Sequence, residues 1–345
     1  MSVLLNSNLF RKCATKKEGF QWVQNSCYLD SVLWVLFSSP TPFVDKKMLF
    51  STISPDKLHK IAPCGKNQND LNEKMFVEFQ MKFRQIAYYF RCGIGEEKTC
   101  SGFRNLFKTW FQNHRCTCIN KNIRFHSSEQ HEAQEFLQFI FSIYGMNGQE
   151  QYKAVSKRDI YYGVSQVPRS DTVFQFIEER KDKKPSFIWN VSYQTLKNTK
   201  YPQRTMENFL VRQEENWNVP NITHKKCRFN VVRTIQSFIK LDDLFVFSLE
   251  RTHPIQQTVS HFRVQISETI TDSKGKQLSL FGIICHEGET TNRGHYTAFS
   301  LSTTDHEWYY YDDINLPIKK VGSWKDMLSI KQVFTHCVLL FYTKL

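Results

Sequence analysis

Apolar residues at Leu29, Val32, Leu33 and Leu36 fall at i, i+3, i+4 and i+7, which predicts a helix opening at about Cys27. Asn25 and Ser26 stand where an N-cap is wanted, and Pro40 closes the segment. Ala133, Phe136, Leu137 and Ile140 repeat the helical spacing and predict a second helix, opening near Ser127 and Ser128. The pattern changes towards the C-terminus. Leu278 to His286 is an apolar run of strand length, and Glu287 to Gly294 is rich in turn formers. Tyr296 to Ser300 then alternates like a strand, Ser302 to Glu307 is polar, and Trp308 to Tyr311 returns as a partner strand. Such a hairpin sets His295, at the start of one strand, beside Asp312, at the end of the other.

Three side chains in that pattern carry candidate chemistry. A thiol attacks as thiolate, so a cysteine nucleophile needs a base and a group that orients the base. Cys27 in the first turn of its helix would face unpaired amides and the positive end of the dipole, an arrangement expected to depress its pKa. An aspartate such as Asp312 can hold an imidazole's tautomer while the other ring nitrogen faces the thiol. The plainer reading is a core helix that begins with a cysteine, a turn at Gly294-His295-Tyr296 and a hairpin end at Asp312-Asp313.

The wording of four segments decides between them. Asn25-Ser26-Cys27-Tyr28-Leu29-Asp30-Ser31 resembles the cysteine box of ubiquitin-specific proteases, closest to the cylindromatosis (CYLD) deubiquitinase branch. Leu280 to Ser300, continuing through WYYYDD to CVLLFY, resembles the histidine box. Gln130 to Leu137 is similar to the family's Gln-x-Asp-Ala-x-Glu-Phe-Leu motif, and Leu244 to Arg251 is similar to a palm strand. The resemblance implies an α+β, papain-like fold of thumb, palm and fingers. It divides the chain into a leader over 1–18, a thumb over 19–148, fingers over 149–235 and a palm over 236–345. It implies hydrolysis of the (iso)peptide bond after the C-terminal glycine of ubiquitin, with no cofactor. Carried over by position, Cys27 is the nucleophile, His295 the general base and Asp312 its orienting acid, with Asp313 in support. Gln130, Glu132, Glu135 and Tyr296 would bind the ubiquitin tail, whose arginines carboxylates can pair. The Glu132 helix would otherwise read as an amphipathic helix with acids in its first turn.

Two departures follow. The family's oxyanion asparagine falls at Trp22, leaving Gln24, Asn25 or backbone amides near Cys27 as donors and a slow enzyme as one expectation. Many members hold zinc in the fingers on two Cys-x-x-C pairs. This chain has no Cys-x-x-C, and Cys227 is the sole cysteine between Gln149 and Ile235, so reduced, zinc-free fingers are expected. Cys92, Cys100, His114, Cys116, Cys118 and His126 offer soft ligands at spacings foreign to common zinc modules, and read as free thiols.

Composition narrows the setting. Ten cysteines without regular pairing suggest a reducing compartment, hence cytoplasm or nucleus. No run approaches a membrane span, and Met1 to Phe10 is too short and polar for a signal peptide. The net charge of +13 is spread along the chain without a nucleic-acid motif, so no nucleic-acid partner is expected. The partners expected are ubiquitin and ubiquitinated proteins, met by a monomer. Two other readings remain: a catalytically weak ubiquitin-binding scaffold, and a protease for another ubiquitin-like modifier such as SUMO.

Overall fold

The computed structural model describes residues 17–51, 69–113, 130–144, 154–164, 173–183, 188–211, 213–224, 227–238, 243–272, 275–290 and 293–344. Four helices matter to the site: α1 (Cys27–Phe37), α2 (Asn69–Cys92), α3 (Phe103–Asn113) and α4 (Ala133–Ile143). The described strands form two sheets. The larger places β11 (Lys319–Gly322), β10 (Trp308–Tyr311), β9 (Arg293–Leu301), β8 (Gln277–Thr290), β12 (Cys337–Thr343), β6 (Leu244–Leu249) and β3 (Ile188–Val191) side by side, with β7 (Thr269–Thr271) on β8. The smaller runs β2 (Val173–Lys183), β1 (Ala154–Val164), β5 (Cys227–Phe238), β4 (Gln213–His224). The mixture is the expected α+β class.

Helix α1 was expected to bury one stripe, but every residue of it is buried. It lies between the large sheet on one side and α2 and α4 on the other, which leaves no face for solvent. Its approach to β8 is close because of Gly282: a Cβ there would meet Val35 at 2.2 Å. Two hydroxyls fix it along β9, with Ser31 donating to the Tyr296 carbonyl at 3.2 Å and Ser38 to Ser300 at 3.0 Å. The carbonyls at its C-terminus are satisfied from outside: Arg91 donates to the Phe37 carbonyl at 2.8 Å and Lys17 to that of Ser38 at 2.8 Å. The buried Arg91 guanidinium also pairs with Asp45 at 2.7 Å.

Two expectations about local structure change. The stretch after His286 is strand rather than turn: β8 runs to Thr290 and Glu287 pairs with His295 across the ladder. Polar residues continue the hairpin as a two-stranded ribbon where apolar patterning stops, with an irregularity between Glu287 and Thr290. Helix α4 begins at Ala133, and Gln130 to Glu132 are not helical; Ser127 and Ser128 lie outside the described residues. The Glu132 carbonyl accepts from Phe136 N–H at 3.3 Å, so Glu132 is the cap of the helix and not a member of it.

Candidate active site

Cys27 opens α1 at the point where that helix meets β9. Just before it, Gln24 and Asn25 both adopt left-handed backbone angles, φ 44° and 58°. Asparagine tolerates this region, while glutamine there costs on the order of 1 kcal/mol. The turn closes on itself: Ser26 N–H donates to the Val23 carbonyl at 3.1 Å, and Val23 N–H donates back to Ser26 Oγ at 3.3 Å. Ser26 therefore does not cap α1 through its side chain. Its hydroxyl proton goes instead to Asp30 Oδ2 at 2.5 Å.

The thiol is not acidified as its helix position suggested. Burial pushes it up to about 12; main-chain hydrogen bonds from Tyr296 and Tyr28 lower it, and the Asp313 and Asp30 charges raise it further. Desolvation outweighs the helix dipole because Cys27 is 3 % exposed. A thiol raised in this way is a nucleophile only after a base has taken its proton.

The hairpin offers a candidate base. His295 Nε2 lies 2.9 Å from Asp312 Oδ1, which leaves Nδ1 as the basic nitrogen when Nε2 carries the proton. Asp312 is itself held: Ile314 N–H donates to Oδ1 at 3.0 Å and Asn315 Nδ2 to Oδ2 at 2.8 Å. Burial opposes its charge, but the bonds from Asn315, His295 and Ile314 outweigh this and hold its pKa below the usual value. Asn315 was missed in the sequence; an amide three residues after an acid at a strand end is its only signal. Asp313 approaches the same imidazole nitrogen at 3.6 Å. The three groups place donor atoms within 4.8 Å of one another, but the nitrogen is engaged with Asp312, and the trio reads as an acid–base group rather than a ligand set.

The remaining candidates line up along α4. Tyr296 is 5 % exposed, and its hydroxyl takes a main-chain hydrogen bond from Ala133. Its ring thus joins the hairpin to the first turn of α4. Burial raises the carboxyl of Glu135 to about 7, with the Glu132 charge adding to the effect. Burial also raises Glu132, although the residue keeps an exposed face. Gln130 has a buried, unpartnered Nε2 among the described residues. Gln134 bridges to the large sheet, accepting from Ser248 Oγ at 2.5 Å and donating to Asn190 at 3.0 Å.

Trp22, at the position of the family's oxyanion asparagine, is 42 % exposed and is held by its main chain, whose N–H donates to the Asp313 carbonyl at 2.9 Å. Cys92 and Cys100 form no disulfide among the described residues; His114, Cys116, Cys118 and His126 lie outside the described residues. No helix among the described residues is long and apolar enough to cross a membrane.

Comparison with known proteins bears on the family and the fold. The family model described as "Ubiquitin carboxyl-terminal hydrolase" matches residues 18–342. A chain of the SAGA DUB module Ubp8/Sgf11/Sus1/Sgf73 bound to monoubiquitin is 16% identical, with TM-score 0.55, covering 94% of this chain and 68% of that one. The same module bound to ubiquitin aldehyde gives 15% identity and TM-score 0.53, covering 96% and 71%. A yeast SAGA DUB module with a mutant Sgf73 gives 14% and 0.54, covering 96% and 70%. At these identities the structures show a shared fold. No curated protein matches the sequence.

Proposed function

The chain belongs to the ubiquitin carboxyl-terminal hydrolase family, and from that premise we propose that Cys27, His295 and Asp312 cleave the (iso)peptide bond after the C-terminal glycine of ubiquitin. The protein is a cysteine-type hydrolase, a deubiquitinase. The observation that carries the residue assignment is the 2.9 Å contact of His295 Nε2 with Asp312, one residue from Tyr296, whose main chain touches the Cys27 sulfur. In the first step His295 Nδ1 takes the thiol proton as sulfur attacks the glycine carbonyl carbon. The imidazolium then protonates the departing lysine amine as the C–N bond breaks, leaving a thioester. Water, deprotonated by His295, attacks the thioester, and the thiol leaves with the proton. Asp312 remains ionised throughout and holds the ring.

Glu132 and Glu135 are the residues that would meet the arginines of an extended ubiquitin tail, and Gln130 lies beside them. Ubiquitin is supported as partner by the monoubiquitin and ubiquitin aldehyde bound in structures of the same fold. The NSCYLDS wording favours the CYLD branch. A thumb, fingers and palm over 19–148, 149–235 and 236–345, a monomeric state and an intracellular location complete the proposal. Trp22 in place of asparagine favours a slow enzyme, with Gln24, Asn25 or the first amides of α1 polarising the carbonyl.

Matched probes test the modifier. Ubiquitin bearing a C-terminal electrophile should form a covalent adduct, and the equivalent SUMO probe should not. Reaction with SUMO alone would replace ubiquitin in this scheme; tight ubiquitin binding without adduct would favour the scaffold reading.

A further inference from the structure

Behind the hydrolytic residues lies a second group of charges that the scheme above does not use. Asp30, in the first turn of α1, is fully buried. It accepts from Arg104 Nε at 2.9 Å, from Arg104 Nη2 at 2.5 Å and from Ser26 Oγ at 2.5 Å. Arg104 belongs to α3 and is itself fixed, donating to the Gln21 carbonyl at 2.9 Å and stacking 5.2 Å from the Phe20 ring. Asp313 is equally buried, yet no N–H or hydroxyl donor among the described residues reaches either of its carboxyl oxygens, and what lies within hydrogen-bonding reach is the Asp30 carboxyl. Its neighbours are the Asp30 carboxylate and the His295 ring at 3.6 Å.

Two carboxylates facing each other without a donor between them are unfavourable in a site with one guanidinium. A proton on one of them removes a buried charge and supplies the missing donor. Burial raises Asp30 as well, but the Arg104 charge and the bonds from Arg104 and Ser26 oppose this, so Asp30 is the member favoured to carry the charge. We propose that Asp30 and Arg104, which do not reach the reacting atoms, are positioning residues that hold Asp313 as a neutral carboxylic acid beside His295. The direction of the pKa agrees: burial and then the Asp30 charge raise Asp313, to about 8, against the lowering effect of Arg104.

A neutral Asp313 matters to the nucleophile. Ionised, it would place a further like charge near Cys27 and push that thiol up. The groups facing Asp313 are Asp30 and Cys27 from α1, Arg104 from α3, His295 from β9, and Tyr311 and Asp312 from the strand end. Its kinetic consequence rests on the hydrolase reading: the alkaline limb of kcat/KM should follow the Asp313 proton.

The two supporting residues have opposite charge, so their removal should move that limb in opposite directions. Asp30→Asn leaves Arg104 to stabilise the Asp313 carboxylate, and the limb moves to lower pH. Arg104→Met leaves two acids without a cation, and the limb moves to higher pH. A general loss of packing would not reverse sign. Carboxyl titrations followed by 13C NMR on aspartate-labelled protein read the same proton without any activity. The native chain should show one carboxyl titrating far above the usual range, absent in Asp313→Asn and lowered in Asp30→Asn. Absence of such a carboxyl in the folded native chain overturns the proposal, even if hydrolysis is robust. A raised carboxyl in a chain that hydrolyses nothing would retain the proposal and reject the hydrolase reading. If Arg104→Met does not fold, Asp30→Asn and the native titration still decide.

Discussion

If Glu135 pairs with the ubiquitin tail as proposed, its raised carboxyl makes ubiquitin binding pH-dependent in a definite direction. Burial and the Glu132 charge set it near 7 in the unbound protein. An arginine of the ubiquitin tail would return it towards the ordinary range of about 4.3. The bound state then holds fewer protons than the free state, so affinity rises with pH through this window and levels off above 7. At pH 5, ionising the free carboxyl costs roughly 2.7 kcal/mol at about 1.36 kcal/mol per decade, or about a hundredfold in Kd. Glu135 is partly exposed, and solvent screening reduces this to about tenfold. The assay is isothermal titration of ubiquitin into Cys27→Ala protein from pH 5 to 8, which separates binding from the titration of the nucleophile. Glu135→Gln should lose about tenfold or more in affinity at pH 8, the worth of a charge-assisted hydrogen bond, and should flatten the slope. Equal slopes in the two proteins would refute a pairing of Glu135 with the tail.

Other outcomes follow from the same geometry. Asp312→Asn should keep the fold but remove the anion that orients His295, lowering kcat by about 10²–10⁴ with little change in ubiquitin affinity; stopped-assay kinetics and binding on one preparation check both. Arg91→Met should destabilise the protein by about 3–5 kcal/mol in urea unfolding, since it strands Asp45 and uncaps the end of α1. Metal analysis of purified protein should find no zinc in the fingers, because Cys227 has no Cys-x-x-C partner.

The adjacency of His295 and Asp312 was legible because hairpin pairing turns sequence order into proximity. The tyrosines of β10 return alongside β9 and deliver Asp312 to His295. What the sequence hid was environment. The spacing at the start of α1 suggests an acidified thiol, yet the helix is enclosed on all sides and burial reverses the shift. Periodicity carried α4 back beyond Glu132, whereas the chain enters that helix at Ala133. Asp30 drew no notice in the sequence beyond the cysteine-box wording, yet it is a charge buried in an apolar helix and needs a buried partner. The partner, Arg104, lies on a different helix 74 residues away, and no local pattern links the two. Asn315 is the converse case: its bond to Asp312 is local, but polar residues after a strand are too common to single out.

The central claim is that Cys27 performs nucleophilic attack at the ubiquitin C-terminus. Mass spectrometry of the intact chain after reaction with a ubiquitin C-terminal electrophile, followed by peptide mapping, tests it most directly. The account predicts one adduct per chain, located on the peptide containing Cys27, and none in Cys27→Ala protein that still binds ubiquitin. An adduct mapped to another cysteine, or ubiquitin hydrolysis retained by Cys27→Ala, would contradict it.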